Sequence, residues 1–145
     1  MRVRPAFLAS FVKRILRIRV RNVSTTHGQF EVDPVSFFGR ALIEDGEYEG
    51  KVAAAITELL SDGQVFIDIG ANNGYFSVLA SQHVGGDGLV LAIEPQARLI
   101  PKINQNCRLN QCTNVFAICG AVSDENGWAE IHLPPDVHTG GASFL

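Results

Sequence analysis

Two acidic residues within apolar stretches are the side chains best placed to do chemistry. Asp68 is the fourth residue of "VFIDIGANNGYFSVLAS" (65–81), and Glu94 is the sixth of "LVLAIEP" (89–95). Both stretches are typical of buried strands, in which an unpaired carboxylate is costly. Each acid therefore requires a partner, either a backbone N–H group or a polar ligand.

A glycine-bordered turn follows Asp68 and precedes a helical pattern. The turn consists of Gly70, Ala71, Asn72, Asn73 and Gly74. A dinucleotide-binding turn would read G-x-G-x-x-G, but Asn72 and Tyr75 occupy its second and third glycine positions. The second glycine allows close approach of a pyrophosphate, so its absence indicates a ligand without one. Asp68 could fasten this turn alone, or it could also attract a ligand ammonium group.

Glu94 lies at the end of the second apolar run, 24 residues after Gly70. A carboxylate at that position can accept hydrogen bonds from both hydroxyls of a ribose. The alternative is a helix N-cap before Pro95, although glutamate is a poorer cap than aspartate or serine. Together, the two acids and the turn describe a ligand with an ammonium end, a ribose and no diphosphate. S-adenosylmethionine fits this description.

The apolar patterns predict a strand–helix–strand–helix–strand order. The expected elements are a helix from Asp45 to Gly63, strands at 65–69, 89–95 and 114–122, and helices at 74–83 and from 98 or 99 to 109. Such an order with continuous apolar strands predicts an α/β fold, a Rossmann-like doubly wound parallel sheet covered on both faces. Three strands are fewer than this fold usually has, so we expect an incomplete domain.

The first 45 residues differ from the rest in pattern and charge. We expect a helix at 5–16 and a small hairpin, with residues 1–45 forming a basic N-terminal unit and residues 46–145 the N-terminal half of the main domain. Seven of the twelve basic residues lie within the first 21 positions, and all fifteen acidic residues come later. An acidic body disfavours nucleic acid as a partner, whereas the basic arm could contact a membrane surface weakly.

The cysteines and histidines indicate a protein without a metal site. Cys107, Cys112 and Cys119 are odd in number and lack C-x2-C spacing, and the four histidines are scattered. Free thiols are typical of a reducing compartment, so we expect a cytoplasmic location, with peripheral membrane contact left open. No apolar stretch reaches the roughly 20 residues of a membrane-spanning helix.

The chain resembles the FkbM-type S-adenosylmethionine-dependent methyltransferases. The resemblance rests on "FIDIGANNGYFSVLAS", "GLVLAIEPQARLIPKINQNCRLN" and "DGEYE", and continues through "AVSDENGWAEIHLPP" to "GGASF". It implies the class I methyltransferase fold and O-methylation of a hydroxyl on a small molecule or sugar. It further implies that Asp68, Gly70, Ala71, Asn72 and Gly74 lie against the methionine end of the cofactor. By the same resemblance Glu94 holds the ribose, and Tyr48 and Glu49 match a "YE" pair that lines the pocket.

Two other functions remain open from the sequence. An NAD(P)-binding Rossmann oxidoreductase shares the fold, although the turn lacks the required glycines. A non-catalytic truncated fragment is the other alternative, because a later "K-x-D-x-E-G"-like strand expected of the family is absent from this sequence. No general base can be named. The expected partner is a small-molecule or saccharide hydroxyl acceptor, with no nucleic acid.

Overall fold

The structure, a computed structural model, describes residues 19–128, 130–132 and 143–144, so the predicted helix at 5–16 lies outside the described residues. The strands are β1 (Arg21–Thr25), β2 (Gly28–Val32), β3 (Val65–Ile69), β4 (Leu89–Glu94), β5 (Val115–Cys119), β6 (Ile131–His132) and β7 (Ser143–Phe144). The helices are α1 (Phe37–Glu44), α2 (Gly50–Leu59), α3 (Tyr75–Val84) and α4 (Ile100–Leu109), with a 3₁₀ turn at Ala97–Leu99.

The central sheet has the strand order β3-β4-β5, and both pairings are parallel. Val65 lies opposite Leu89, and Val90 lies opposite Val115. Parallel neighbours require crossover connections, which α3 and α4 supply here. Right-handed crossovers that run in one direction along a sheet place their helices on the same face. The predicted order of strands and helices, and the incomplete Rossmann-like α/β fold, are confirmed.

The prediction that helices cover both faces of this sheet is wrong for the described residues. On the helical face, Val90 and Ala92 are fully buried. On the opposite face, apolar side chains are 46% to 64% exposed, namely Val65, Ile67, Ile69, Phe116 and Ile118. The apolar runs show which side chains could be buried, but burial also needs an element that packs over them.

The predicted N-terminal hairpin is confirmed. β1 and β2 pair antiparallel, with Arg21 opposite Val32 and Thr25 opposite Gly28. Phe30 of β2 is fully buried and packs on the ring of Tyr75 at 5.0 Å, so the hairpin forms part of the core.

The predicted helix start at Asp45 is wrong, because a separate helix ends there. Ser36 caps α1, since its Oγ accepts a hydrogen bond from the Gly39 N–H group at 2.9 Å. Asp45 is the C-cap of α1, and α2 begins only at Gly50. A serine N-cap before an apolar pair at helical spacing, Phe38 and Leu42, is the signal that could have identified α1.

The helix α4 has the predicted position and ends in a left-handed turn. Pro101 lies in its first turn, where the missing N–H group costs nothing. At its end Gln111 has φ +57°, and the Cys112 N–H group donates to the Cys107 carbonyl at 3.0 Å. This is a Schellman-type ending, in which the N–H group of the second residue after the C-cap donates to a carbonyl in the last helical turn.

Candidate cofactor site

The structure brings Asp68 and Glu94 together at the carboxyl ends of neighbouring strands. Asp68 lies opposite Ala92, two residues before Glu94, so both acids project from the helical face of the sheet. They are 7% and 3% exposed. The structure therefore brings the two predicted carboxylates to neighbouring strand ends on one face of the sheet. That they bind a cofactor stays a prediction.

Glu94 holds the loops that follow both strands. Its Oε2 accepts a hydrogen bond from the Asn72 N–H group at 2.9 Å, and its Oε1 accepts one from the Gln96 N–H group at 2.9 Å. The second bond, to an N–H group two residues later, corresponds to the N-cap role that the sequence left open for Glu94. Because a carboxylate has about four acceptor positions, these two bonds leave capacity for the hydroxyls of a ligand.

Asp68 joins β3 to the start of α3. Its Oδ2 accepts a hydrogen bond from the hydroxyl of Ser77 at 2.5 Å, and Ser77 is fully buried. Burial raises the pKa of Asp68, the Ser77 bonds lower it, and Glu94 raises it further. Sequence reasoning missed Ser77. The signal was its position three residues after Gly74, in the first turn of the helix that faces Asp68.

The backbone amides of the glycine turn are bonded within the protein. The Gly70 and Ala71 N–H groups donate to the Ile93 carbonyl at 2.8 and 3.1 Å, and the Gly74 N–H group donates to the Ala71 carbonyl at 2.7 Å. With the bond from Asn72 to Glu94, four of the five turn amides have protein acceptors. A phosphate-binding turn presents such amides to its ligand. This turn therefore fits a ligand without a diphosphate, as predicted.

The shape of the turn requires its glycines and strains one asparagine. Gly70 has φ +83° and Gly74 has φ +77°, a region that glycine adopts readily. Asn72 has φ +50°, and its Oδ1 accepts a hydrogen bond from the Asn73 side-chain amide at 2.9 Å. Ala71 and Asn73 are buried, whereas Asn72 is half-buried. The predicted turn residues thus lie together beside Glu94.

Tyr48 and Glu49 lie beside the residues that follow the turn. The Tyr48 N–H group donates to the Tyr75 hydroxyl at 3.2 Å, and the Tyr48 ring lies 6.1 Å from that of Phe76. Burial, then a hydrogen bond to Glu49, raises the pKa of Tyr48 to about 12. Glu49 itself is exposed and has φ +48°. That this pair lines the cofactor pocket stays a prediction.

A cavity of 660 Å³ lies at the carboxyl end of β5, and neither Asp68 nor Glu94 lines it. Its lining includes Pro95, which follows Glu94, together with Cys119, Gly120 and Trp128. This volume lies within the range of small-molecule sites. The features that fit S-adenosylmethionine are therefore the two buried carboxylates and the turn whose amides are mostly bonded within the protein, and not this cavity.

Other candidate groups do not converge on a site within the described residues. No cluster of three or more histidine, cysteine or acidic side chains suited to a metal occurs among them. The three cysteines are free; Cys107 is buried, but Cys119 is exposed. None of the described helices has the length and apolar character needed to cross a membrane.

The structure has the fold of the class I S-adenosylmethionine-dependent methyltransferases. More specifically, the family model for protein-L-isoaspartate (D-aspartate) O-methyltransferase matches residues 41–143, most of the chain, and the chain belongs to that family. No curated protein matches the chain. The predicted enzyme class and its cofactor are confirmed at the level of the family.

Several solved structures share the fold at low sequence identity. Trm5b from Pyrococcus abyssi has 21% identity and a TM-score of 0.51, and the match covers 69% of this chain and 29% of that one. TYW2 from M. jannaschii, solved with AdoMet, has 20% identity and a TM-score of 0.52, with 68% and 42% covered. PH0793 from Pyrococcus horikoshii has 15% identity and a TM-score of 0.56, with 80% and 47% covered. The chain therefore spans less than half of each of these structures.

The comparisons correct the prediction about the partner. A small-molecule or saccharide hydroxyl acceptor was expected, but the family description names a protein aspartate derivative as the acceptor. The exclusion of nucleic acid is wrong as well, because the proteins that share the fold include Trm5b and TYW2. The predicted membrane contact involved the basic N-terminus, most of which lies outside the described residues. Membership of the FkbM-type group stays a prediction.

Proposed function

We propose that the carboxyl ends of β3 and β4 bind S-adenosylmethionine, and that the chain supplies the cofactor-binding part of an O-methyltransferase. The observation that carries the proposal is the pairing of two buried carboxylates around a turn whose amides are already bonded. Burying Asp68 and Glu94 side by side is unfavourable without partners. A ligand with a positive charge and hydroxyl donors would offset that cost.

Each part of the site has a role in this proposal. Glu94 accepts hydrogen bonds from the ribose hydroxyls, while Asp68 favours the ammonium group of the methionine end. The turn from Gly70 to Gly74 lies against that end, and Tyr48 and Glu49 border the pocket. S-adenosylmethionine supplies a methyl group activated on a sulfonium. The task of these residues is to fix its orientation and exclude water.

The acceptor atom in this proposal is an oxygen. Oxygen is the acceptor in the family description and in the activity that the FkbM-type resemblance implies. The family description favours a carboxylate on a protein. Transfer of a labelled methyl group to an isoaspartyl peptide, released as methanol by base, would support this acceptor. Absence of transfer by a chain that binds S-adenosylmethionine would count against it.

The proposal includes a cytoplasmic location. All three cysteines are free, and thiols persist where the compartment is reducing. Labelling of Cys119 by a thiol reagent in cells would support this location. Recovery of the protein with Cys119 blocked in a mixed disulfide would count against it.

Calorimetric titration separates the three functions considered from sequence. S-adenosylhomocysteine and NAD are titrated separately into the 145-residue chain. The proposal expects binding of S-adenosylhomocysteine alone. Binding of NAD alone would favour the oxidoreductase, and binding of neither would favour a non-catalytic fragment.

A further inference from the structure

Asn106 of α4 contacts two distant parts of the chain through one buried side chain. Its Nδ2 donates to the Asn73 carbonyl at 2.8 Å, and its Oδ1 accepts from the Glu31 N–H group at 2.8 Å. Asn106 is fully buried. Both ends of the amide are therefore satisfied, one by the glycine turn and the other by β2.

The bond from Asn106 to the Asn73 carbonyl restrains the turn on the side that faces α4. Three amides of the turn donate to Ile93 or Glu94 at the end of β4, and the Gly74 amide donates to the Ala71 carbonyl within the turn. The Asn73 carbonyl, on the peptide unit that leads into Gly74, is instead held by α4. A buried carbonyl that loses its donor is left with an uncompensated desolvation cost, so this bond strongly favours one orientation of the peptide.

Helix α4 also packs directly behind the same peptide. A Cβ atom on Gly74 would lie 3.1 Å from Cγ2 of Ile103, closer than ordinary contact. Ile103 and Asn106 are three residues apart and therefore share one face of α4. One helix face thus supports the turn by contact at Gly74 and by a hydrogen bond at Asn73.

Asn110, one helical turn further along α4, provides a natural comparison. Its Oδ1 accepts from the Gln29 N–H group at 2.8 Å, and its Nδ2 donates to the Gln29 carbonyl at 2.7 Å and to the Asn106 carbonyl at 2.8 Å. Asn110 therefore anchors the β1–β2 hairpin to α4, as Asn106 does. Its described hydrogen bonds do not include the glycine turn.

We propose that Asn106 is a positioning residue for the methionine end of the cofactor. It fixes the Asn73–Gly74 peptide, and through it the part of the turn that borders this end of the ligand. This inference rests on the proposed function, because the turn must first be the place where the cofactor binds. It predicts that Asn106 affects the amino-acid tail of the ligand but not its nucleoside.

The test uses two variants that carry the same asparagine-to-aspartate substitution, and each is titrated with two ligands. In Asn106→Asp and Asn110→Asp the side-chain shape is kept, but the amide donor is lost. The ligands are S-adenosylhomocysteine and 5′-methylthioadenosine, which has the same nucleoside and thioether but no amino-acid tail. Affinities are measured by calorimetry on the 145-residue chain, below the melting temperature of each variant. Asn106→Ser, an uncharged change, replaces Asn106→Asp if the latter does not fold.

The expected result is selective in both residue and ligand. Asn106→Asp weakens S-adenosylhomocysteine binding about tenfold and changes 5′-methylthioadenosine binding by less than about twofold, while Asn110→Asp changes neither by more than about twofold. An equal loss of both ligands would show a merely structural role and overturn the inference, as would unchanged binding in a folded Asn106 variant. Failure of the unmodified chain to bind S-adenosylhomocysteine would instead refute the proposed function.

Discussion

The two faces of the β3–β4–β5 sheet are built from the same kind of apolar strand but have different surroundings. On the helical face, α3 and α4 bury Val90 and Ala92 completely. On the opposite face, the side chains of Ile67 and Ile69 are 53% and 64% exposed. The helical face also carries Asp68 and Glu94, whereas the described strand residues of the exposed face are all apolar.

This difference shows that the two carboxylates lie on the face where hydrogen-bond donors surround them, and not on the face that is open to water. Asp68 and Glu94 are tolerated on the buried face because Ser77, Asn72 and Gln96 donate hydrogen bonds to them. Among the described residues, every buried side-chain polar atom has a hydrogen-bond partner. The helical face is therefore a buried surface whose polar side chains are hydrogen-bonded, and the candidate site lies at its edge.

The largest expected effect contrasts a charge on each face. Val90→Lys places an ammonium group at a fully buried position and should cost about 4 kcal/mol or more of the free energy of unfolding. Ile67→Lys, at a position that is 53% exposed on the other face, should change it by less than about 1 kcal/mol. Urea unfolding followed by circular dichroism measures both. Equal losses would show that the two faces are equally buried in solution.

The second prediction compares the two faces of the sheet by the effect of one substitution on each face on ligand affinity. Glu94→Ala removes a charged acceptor on the helical face and should weaken S-adenosylhomocysteine binding by about 1–3 kcal/mol. Ile69→Ala, at the same end of the sheet but on the exposed face, serves as the control and should leave the affinity unchanged. Calorimetry on folded samples compares the two. If Ile69→Ala weakens binding as much as Glu94→Ala, the assignment of the site to the helical face is wrong.

The smallest expected effect concerns the pH dependence of stability. Because the pKa of Asp68 is raised from 3.8 in the folded state, the folded chain holds this proton more tightly than the unfolded chain does. The contribution of Asp68 to stability is therefore present at low pH and is lost as the pH rises through the raised value. Over that range, the Asp68→Asn variant should therefore become more stable relative to the unmodified chain as the pH rises. A difference that is independent of pH would mean that the pKa is not raised.

The local elements of the site could be predicted from sequence because their signals are local. Gly70 and Gly74 mark a turn that needs positive φ, and Pro101 marks the first turn of α4. The placement of Glu94 at the end of its strand follows from the length of an apolar run. These features depend on a few neighbouring residues, and the structure agrees with them.

The parts that could not be predicted depend on contacts between distant residues. Asp68 was expected to hold the glycine turn, but its described partner is Ser77, and Glu94 holds Asn72 instead. The role of Asn106 requires β2, α4 and the turn to meet, which no local pattern reveals. The exposed sheet face of the described residues has the same origin, since an apolar strand does not show whether anything packs against it.

A crystal structure of the chain with S-adenosylhomocysteine tests the central claim most directly. The account predicts that both ribose hydroxyls lie within hydrogen-bonding distance of the Glu94 carboxylate, with the amino-acid tail beside Asp68 and the glycine turn. Ligand density elsewhere on the molecule, or a bound nucleoside whose ribose has no contact with Glu94, would contradict it.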